Sequence, residues 1–280
     1  MRALWVLNPR SRRGRQLGDA ARAQLTRDGI ELVEDRRELG RADAIVVAGG
    51  DGTFAHAIRP ALEFDVPIGL VPLGTFNDLA RTLMIPFDIR EASAVIAAGR
   101  TRSIDVACVN DAYYVNEASI GISSRVARWR RPGDTRRFGL LAVVMNALHA
   151  IRHMRPFHAE VSYDGKRERL RTVQLTVANS GHFGGLITVD DAAIDDGWLD
   201  LYSLEIDDAV RLYSVAKAIV AGKRRSAQGL RTYRAAAFRV ETSRPHRITA
   251  DGEPAGTTPA RFEVLPKALR VFAPIDAGAV

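Results

Sequence analysis

The sequence has a single cysteine and lacks any apolar run long enough to cross a bilayer. Because Cys108 has no second cysteine to pair with, an internal disulfide is excluded. Residues 1–7 are apolar except for Arg2, but this stretch is too short for a signal peptide and ends at Asn8 and Pro9. We therefore expect a cytoplasmic protein.

Internal repeats and low-complexity stretches are also absent, and lysine is scarce compared with arginine. The formal net charge is +7. A basic surface attracts nucleic acid, anionic lipid or nucleotide phosphate, and charge alone does not choose among them. No recognised nucleic-acid-binding motif is present, so we expect no nucleic-acid partner. At 280 residues, 46% of them hydrophobic, the chain can form one large domain or two ordinary ones with a sizeable core.

A glycine-rich turn follows the short apolar run at residues 44–48. That run is typical of a buried parallel strand, and apolar residues at positions 54, 58 and 62 predict a helix after the turn. Open α/β sheets bind ligands at such turns, where glycines and free N–H groups favour an anion. The turn consists of Gly49, Gly50, Asp51, Gly52 and Thr53. Its carboxylate has two interpretations: a Mg²⁺ partner or base, or a turn aspartate that caps the helix.

A second turn of this kind, PLGTFND at residues 72–78, follows the apolar run at residues 68–71. It places the hydroxyl, amide and carboxylate groups of Thr75, Asn77 and Asp78 at another helix start. Because successive parallel strands end at one edge of a sheet, the two turns are expected to lie side by side. The pair therefore predicts a composite phosphate and metal site.

GGDGT followed by PLGTFND resembles the diacylglycerol kinase catalytic-domain family, which includes YegS-like lipid kinases and sphingosine kinases. The resemblance covers nearly the whole chain. It implies an ATP-dependent lipid kinase that uses Mg²⁺ and transfers the γ-phosphate to a hydroxyl of a lipid such as diacylglycerol. It also implies that the residues of both turns bind the nucleotide, and that the N-terminal domain has the α/β fold of NAD kinase and phosphofructokinase.

The pattern of predicted elements changes near Arg102. Before it, strands alternate with helices, which predicts a parallel sheet. After it, turn signals at Asn110-Asp111 and Asp164-Gly165 separate short strands, which predicts a mainly antiparallel β-sandwich. We expect domains at residues 1–102 and 103–280, with the last residues able to return to the first domain. The second region includes predicted strands at residues 103–109 and 112–117 and predicted helices at residues 138–153 and 207–221.

The first loop of the chain matches a phosphate-binding loop of the family in part. Family members carry an Asn-Pro-x-Ser-Gly type loop there, which implies that Asn8 and Ser11 contact nucleotide phosphates. Arg12 stands where the family usually has glycine. The family's nucleotide-contacting threonine after the second strand has no counterpart at residues 32–35.

Two acidic turns in the second region match family motifs. Asp251-Gly252-Glu253-Pro254 corresponds to the segment with the catalytic acids, which makes Glu253 or Asp251 the base that accepts the proton of the lipid hydroxyl. Asp195 to Asp200 contains three carboxylates, and from the residues alone it is either a hard-cation site or an ordinary turn before a strand. The resemblance implies a Mg²⁺ site formed by the Asp196 side chain and the carbonyls of Ala193 and Trp198.

A soluble lipid kinase must meet its substrate at a membrane, and two basic segments at residues 125–138 and 223–225 suit an anionic headgroup layer. A solvated basic loop is the alternative. We therefore expect peripheral membrane contact with a lipid alcohol, and the resemblance also implies a homodimer as one assembly. Two other functions stay open: an NAD kinase, whose Asn-Glu pair Asn116-Glu117 resembles, and a catalytically silent lipid-binding regulator.

Overall fold

The computed structural model describes residues 1–8, 12–121, 156–180, 182–183, 187–188, 193–206 and 229–274. The predicted helices at residues 138–153 and 207–221 and both basic segments fall mainly or wholly outside these ranges. Within the same ranges, no helix combines the length and the apolar character needed to cross a bilayer.

The N-terminal half is a parallel sheet covered by helices on both faces. Its strands lie in the order β2-β1-β3-β4, and all their pairings are parallel. They are β1 (Arg2–Leu7), β2 (Glu31–Val33), β3 (Ala44–Gly49) and β4 (Ile68–Pro72). The helices are α1 (Arg12–Arg27), a 3₁₀ helix (Arg36–Arg41), α2 (Asp51–Phe64), α3 (Asp78–Thr82) and α4 (Ile89–Ala97). Every residue of β3 is buried because alternate side chains pack into two different apolar clusters, one on each face.

The chain then forms antiparallel strands that extend the same sheet. Strand β18 (Ala260–Phe272) pairs with β4 in parallel, with Val271 opposite Ile68, and pairs with β5 and β15 in antiparallel orientation. Its register with β5 shifts between Leu265 and Leu269, around Pro266, which has no N–H to donate to a ladder. The new strands are β5 (Thr101–Val109), β6 (Ala112–Tyr114), β8 (Phe157–Tyr163), β9 (Lys166–Thr172) and β15 (Ala237–Thr242).

A second, antiparallel sheet has the strand order β14-β13-β10-β7-β16-β17. Its strands are β7 (Glu117–Gly121), β10 (Gln174–Ala178), β13 (Leu199–Leu204), β14 (Leu230–Ala235), β16 (Arg247–Ala250) and β17 (Glu253–Thr257). A short pair, β11 (His182–Phe183) and β12 (Ile187–Thr188), lies apart from both sheets. Phe238 and Phe262 of the first sheet share one buried cluster with Leu175 and Leu199 of the second, so the two sheets form a β-sandwich.

The predicted fold class is confirmed: an α/β N-terminal part with a parallel sheet is followed by a mainly antiparallel β-sandwich. Both predicted hairpins are present, and Asn110, Asp164 and Gly165 have positive φ values of 51°, 44° and 72° at their turns. The domain boundary near Arg102 stays a prediction. The ten-stranded sheet runs across it, since β18 connects β4 with β5 and β15.

Candidate active site

The two glycine turns meet at the carboxyl ends of β3 and β4. The Leu73 N–H donates to the Gly49 carbonyl at 2.8 Å. A Cβ atom built on Gly74 would lie 2.4 Å from the Gly50 Cα, so the two backbones are too close for a side chain on that side. This close approach places both turns at one edge of the sheet, as their positions after neighbouring strands predict.

Asn77 stabilises the second turn from within. It has a left-handed backbone with φ of 53°, a conformation that asparagine tolerates better than most residues, and its Nδ2 donates to the Gly74 carbonyl at 3.1 Å. Its Oδ1 is buried beside Gly50 and Gly74 and accepts no hydrogen bond from the described residues. The Asn77 side chain therefore packs between the two turns.

Asp51 connects the two turns. Its carboxylate accepts the backbone N–H groups of Asp78 at 3.2 Å and Leu79 at 3.1 Å, and it therefore caps α3 rather than its own helix α2. The Asn116 side chain also donates to it, at 3.4 Å. Asp51 thus caps a helix, as one of its two interpretations predicts, but the helix is α3, which follows the second turn. Asp78, the buried first residue of α3, brings a second carboxylate to this point.

Asp251 lies opposite these turns, at the hairpin between β16 and β17. Its carboxylate accepts three backbone N–H groups: Val115 at 2.8 Å, and Asn116 and Glu117 at 3.0 Å each. Its own N–H donates to the Glu117 carbonyl at 2.9 Å. Burial raises the pKa of Asp251 to about 7, while the three N–H groups act in the opposite direction. The side chain is therefore engaged in positioning the residues between β6 and β7.

Glu253 belongs to the same hairpin but has a different environment. It is exposed, and none of the described groups hydrogen-bonds to its carboxylate. Its Oε1 lies 3.2 Å from a Cβ atom built on Gly52, next to the start of α2. The sequence does not distinguish the two acids of the Asp-Gly-Glu-Pro segment, but the structure does. The Asp251 carboxylate is hydrogen-bonded to the backbone, whereas the Glu253 carboxylate is exposed and able to accept a proton.

Glu117 is a functional candidate that the sequence pattern does not assign to this site. It is partly buried, and burial, Asp251 and Asp78 together raise its pKa to about 8. The three N–H groups that Asp251 accepts favour its charged form, and the two carboxyl groups titrate as a coupled pair. The one signal in the sequence is the Asn116-Glu117 pair, which points to NAD kinases.

The other predicted nucleotide residues lie at the same edge or outside the described ranges. Asn8 follows β1, whose Leu7 is in register with Ala48 of β3, so it lies beside Gly49 at the edge of the sheet. The Thr53 side chain packs over Gly49, 2.6 Å from a Cβ atom built there. Thr75 is exposed in the second turn. Ser11 lies outside the described residues.

The predicted metal residues Ala193, Asp196 and Trp198 form a separate loop before β13. Asp196 Oδ1 accepts the Trp198 N–H at 3.0 Å, and Oδ2 accepts Arg234 Nη2 at 2.7 Å and the Ala193 N–H at 3.5 Å. The positive charge of the Arg234 guanidinium lies directly against this carboxylate, an arrangement that does not fit a second cation at the same oxygens. Throughout the described ranges, no three Asp, Glu, His or Cys side chains are grouped to bind a metal. The Mg²⁺ site at Asp196 stays a prediction.

Two family models match the chain in succession. The diacylglycerol kinase catalytic domain matches residues 3–109, and the YegS C-terminal NAD kinase beta sandwich-like domain matches residues 116–273. A diacylglycerol kinase of Bacillus subtilis is 29% identical over an alignment of 241 residues, which covers 84% of this chain and 79% of the relative. A Synechocystis relative described as an uncharacterized protein is 26% identical over 92% of this chain, and the match spans 62% of its length. The models and the first of these names support a lipid kinase.

Solved structures share the whole architecture. A diacylglycerol kinase from Bacillus anthracis has a TM-score of 0.77 at 21% identity, covering 98% of this chain and 97% of that one. An NAD kinase from Archaeoglobus fulgidus in complex with ATP has a TM-score of 0.56 at 14% identity, covering 99% and 95%. At these identities the likeness is one of fold. Together the two family models match most of the chain, in the order in which the family has them. The chain therefore belongs to the YegS-like diacylglycerol kinase family.

Proposed function

We propose that this chain is an ATP-dependent lipid kinase that transfers the γ-phosphate of ATP to a hydroxyl of a lipid such as diacylglycerol. The observation that carries the proposal is the position of Glu253, an available carboxylate 3.2 Å from a Cβ built on Gly52 of the first glycine turn. Phosphates bound at that turn would lie next to a residue able to accept a proton. The ATP in the related NAD kinase fold supports the choice of nucleotide.

The turns would bind the phosphates through their backbone N–H groups and the start of α2, where the helix end favours negative charge. At the start of α3 the Asp51 carboxylate already accepts the N–H groups of Asp78 and Leu79. Asp51 and Asp78 are the carboxylates that would hold a Mg²⁺ ion together with the phosphates, as Mg²⁺ commonly binds through one or two carboxylates and substrate oxygens. When bound, the ion neutralises charge on the phosphoryl group during transfer.

Glu253 would accept the proton of the lipid hydroxyl as the hydroxyl oxygen attacks the γ-phosphorus of ATP. ADP would leave with the electron pair of the broken P–O bond. Asp251 would act as a positioning residue, because its three backbone hydrogen bonds fix residues 115–117 against the turns. This assignment separates the two acids that the sequence leaves equivalent.

The acceptor would be reached at the surface of an anionic membrane, with the enzyme in the cytoplasm and bound only peripherally. The net charge of +7 supports this location of the substrate. A homodimer is the assembly we propose by resemblance to the family.

The test is transfer of labelled γ-phosphate from ATP to lipid alcohols in mixed micelles with Mg²⁺. We expect Glu253→Gln to lower kcat by about 10²- to 10⁴-fold, the usual contribution of a general base. Glu63→Gln, on the exposed surface of α2, is the matched control and keeps wild-type activity. Full activity in Glu253→Gln would remove this residue as the base, and a panel of diacylglycerol, phosphatidylglycerol and sphingoid bases identifies the acceptor.

A second candidate, NAD kinase, is supported by the Asn116-Glu117 pair in the site and by the shared fold. NAD is therefore included in the same panel. Phosphorylation of NAD without transfer to any lipid would replace the lipid kinase proposal. Absence of transfer and of ATP binding would favour a lipid-binding regulator.

A further inference from the structure

Arg234 lies between two carboxylates at the place where the family resemblance implies a metal ion. The register of β13 and β14 places it directly opposite Asp200. Its Nε lies 3.2 Å from Asp200 Oδ1, and its Nη2 lies 3.3 Å from Asp200 Oδ2 and 2.7 Å from Asp196 Oδ2. One guanidinium thus bridges both acids, and the side chains of Asp196 and Asp200 are only 23% and 18% exposed.

The loop that carries Asp196 connects the two sheets. Asp105 of β5 accepts the Gly197 N–H at 2.6 Å, and its own N–H donates to the Ile194 carbonyl at 2.8 Å. Arg102 of the same strand pairs with Asp195 at 2.8 Å. Arg234 completes the connection from the other side, because it joins the loop to β13 and β14. A positive charge at this point stabilises the loop between the sheets.

A divalent ion at Asp196 would lie against the guanidinium, and the two positive charges would repel each other. Trp198 N–H and the guanidinium engage one oxygen each, and the guanidinium supplies the positive charge that an ion would bring. Arginine is suited to this role, since its planar fork reaches two carboxylates at once and stays charged at any ordinary pH.

We propose that Arg234 takes the place of a divalent cation in this loop, so that the folded chain needs no metal ion at Asp196. The inference is independent of the proposed kinase activity. Its converse is specific: without the guanidinium, Asp196 and Asp200 lose the positive charge that lies between them, which favours a hard cation at Asp196. Removal of Arg234 is therefore expected to create a Mg²⁺ or Mn²⁺ site that the wild type lacks.

The first test compares melting temperatures in Mg²⁺ and in EDTA. We expect Arg234→Ala to lose stability in EDTA and to recover a few degrees of Tm in Mg²⁺, beyond any Mg²⁺ effect on the wild type. Arg231→Ala is the matched control, because Arg231 lies on the same strand and pairs with Glu205 at 3.2 Å. Adding Asp196→Asn to Arg234→Ala should abolish the recovery, whereas Arg234→Lys should keep the wild-type response. Equal Mg²⁺ effects on Arg234→Ala and the wild type would overturn the proposal.

The second test needs no destabilised variant. Mn²⁺ bound to the wild type and to Asp196→Asn is counted by electron paramagnetic resonance. The proposal predicts the same number of ions in both proteins, since Asp196 binds none. Loss of one Mn²⁺ in Asp196→Asn would show that the wild-type loop is a metal site and would refute the role of Arg234.

Discussion

At the scale of single residues, burial separates acids that the sequence presents as equals. Asp251 and Glu253 are two positions apart in one hairpin, yet Asp251 accepts three backbone N–H groups and Glu253 accepts none from the described residues. The sequence could place both near the phosphates through the family resemblance. It could not assign their roles, because the N–H donors come from residues 115–117, which are distant in the chain.

Glu117 provides the residue-scale prediction. Burial and its acidic neighbours raise its pKa from 4.5 to about 8, so the folded protein binds a proton that the unfolded chain has released above pH 4.5. The contribution of Glu117 to the free energy of unfolding is therefore fully present below the pKa of the unfolded chain. It falls as the pH rises towards 8, by up to about 1.4 kcal/mol per pH unit for one proton. Glutamine mimics the neutral acid, so Glu117→Gln should reduce this decline.

The measurement is Tm between about pH 5 and about pH 9 for wild type, Glu117→Gln and the surface control Glu63→Gln. Glu117→Gln should match the wild type at low pH and exceed it at high pH, while the control follows the wild type throughout. The raised pKa of Asp251 is present in every protein, so a residual slope is expected. Parallel profiles for wild type and Glu117→Gln would mean that Glu117 carries its charge in the folded state.

At the scale of elements, the two strand-turn-helix units could be predicted from the sequence because each has its own local pattern. Each unit has an apolar strand followed by glycine and polar residues, which fixes the turn locally. The predicted strand at residues 112–117 is wrong as one element: the structure has β6 ending at Tyr114 and β7 beginning at Glu117. The break arises because the N–H groups of Val115, Asn116 and Glu117 bind the Asp251 carboxylate, a tertiary contact without a local signal.

The contact between the turns gives the element-scale prediction. A Cβ on Gly74 would lie 2.4 Å from the Gly50 Cα, a backbone atom that cannot move aside as a flexible side chain would. We expect Gly74→Ala to destabilise the protein by about 1–3 kcal/mol or more, as overpacking does, and to weaken nucleotide binding by separating the turns.

Gly40→Ala is the matched control, because its Cβ would make an ordinary 3.5 Å contact with the Phe64 ring. Neither glycine has a positive φ, so space alone distinguishes the two substitutions. Chemical denaturation and ATP titration of both variants provide the measurement. Wild-type stability and nucleotide affinity in Gly74→Ala would contradict the close approach of the turns.

At the scale of the whole molecule, β18 determines how the two halves are joined. It is 13 residues long and pairs with β4 of the parallel part and with β5 and β15 of the antiparallel part. The change near Arg102 from a parallel to an antiparallel arrangement is visible in the sequence, because strands separated by helices are followed by strands separated by short turns. The continuity of the sheet is not visible, because an apolar strand has the same pattern whichever neighbours it pairs with.

This continuity predicts that the two halves unfold together. Leu269 of β18 is 1% exposed in the core of the N-terminal half, and Leu269→Ala should cost about 2–5 kcal/mol. Leu265→Ala, four residues earlier on the same strand, changes a side chain that is 38% exposed and should cost about 0.5 kcal/mol or less. Because β18 is hydrogen-bonded to both halves, we expect the loss of stability in Leu269→Ala to appear in both halves. Hydrogen exchange in urea measures it: in Leu269→Ala the unfolding midpoints of β3 and of β8 should fall by the same amount. A lower midpoint confined to β3 would show that the halves unfold separately and that β18 belongs energetically to the first alone.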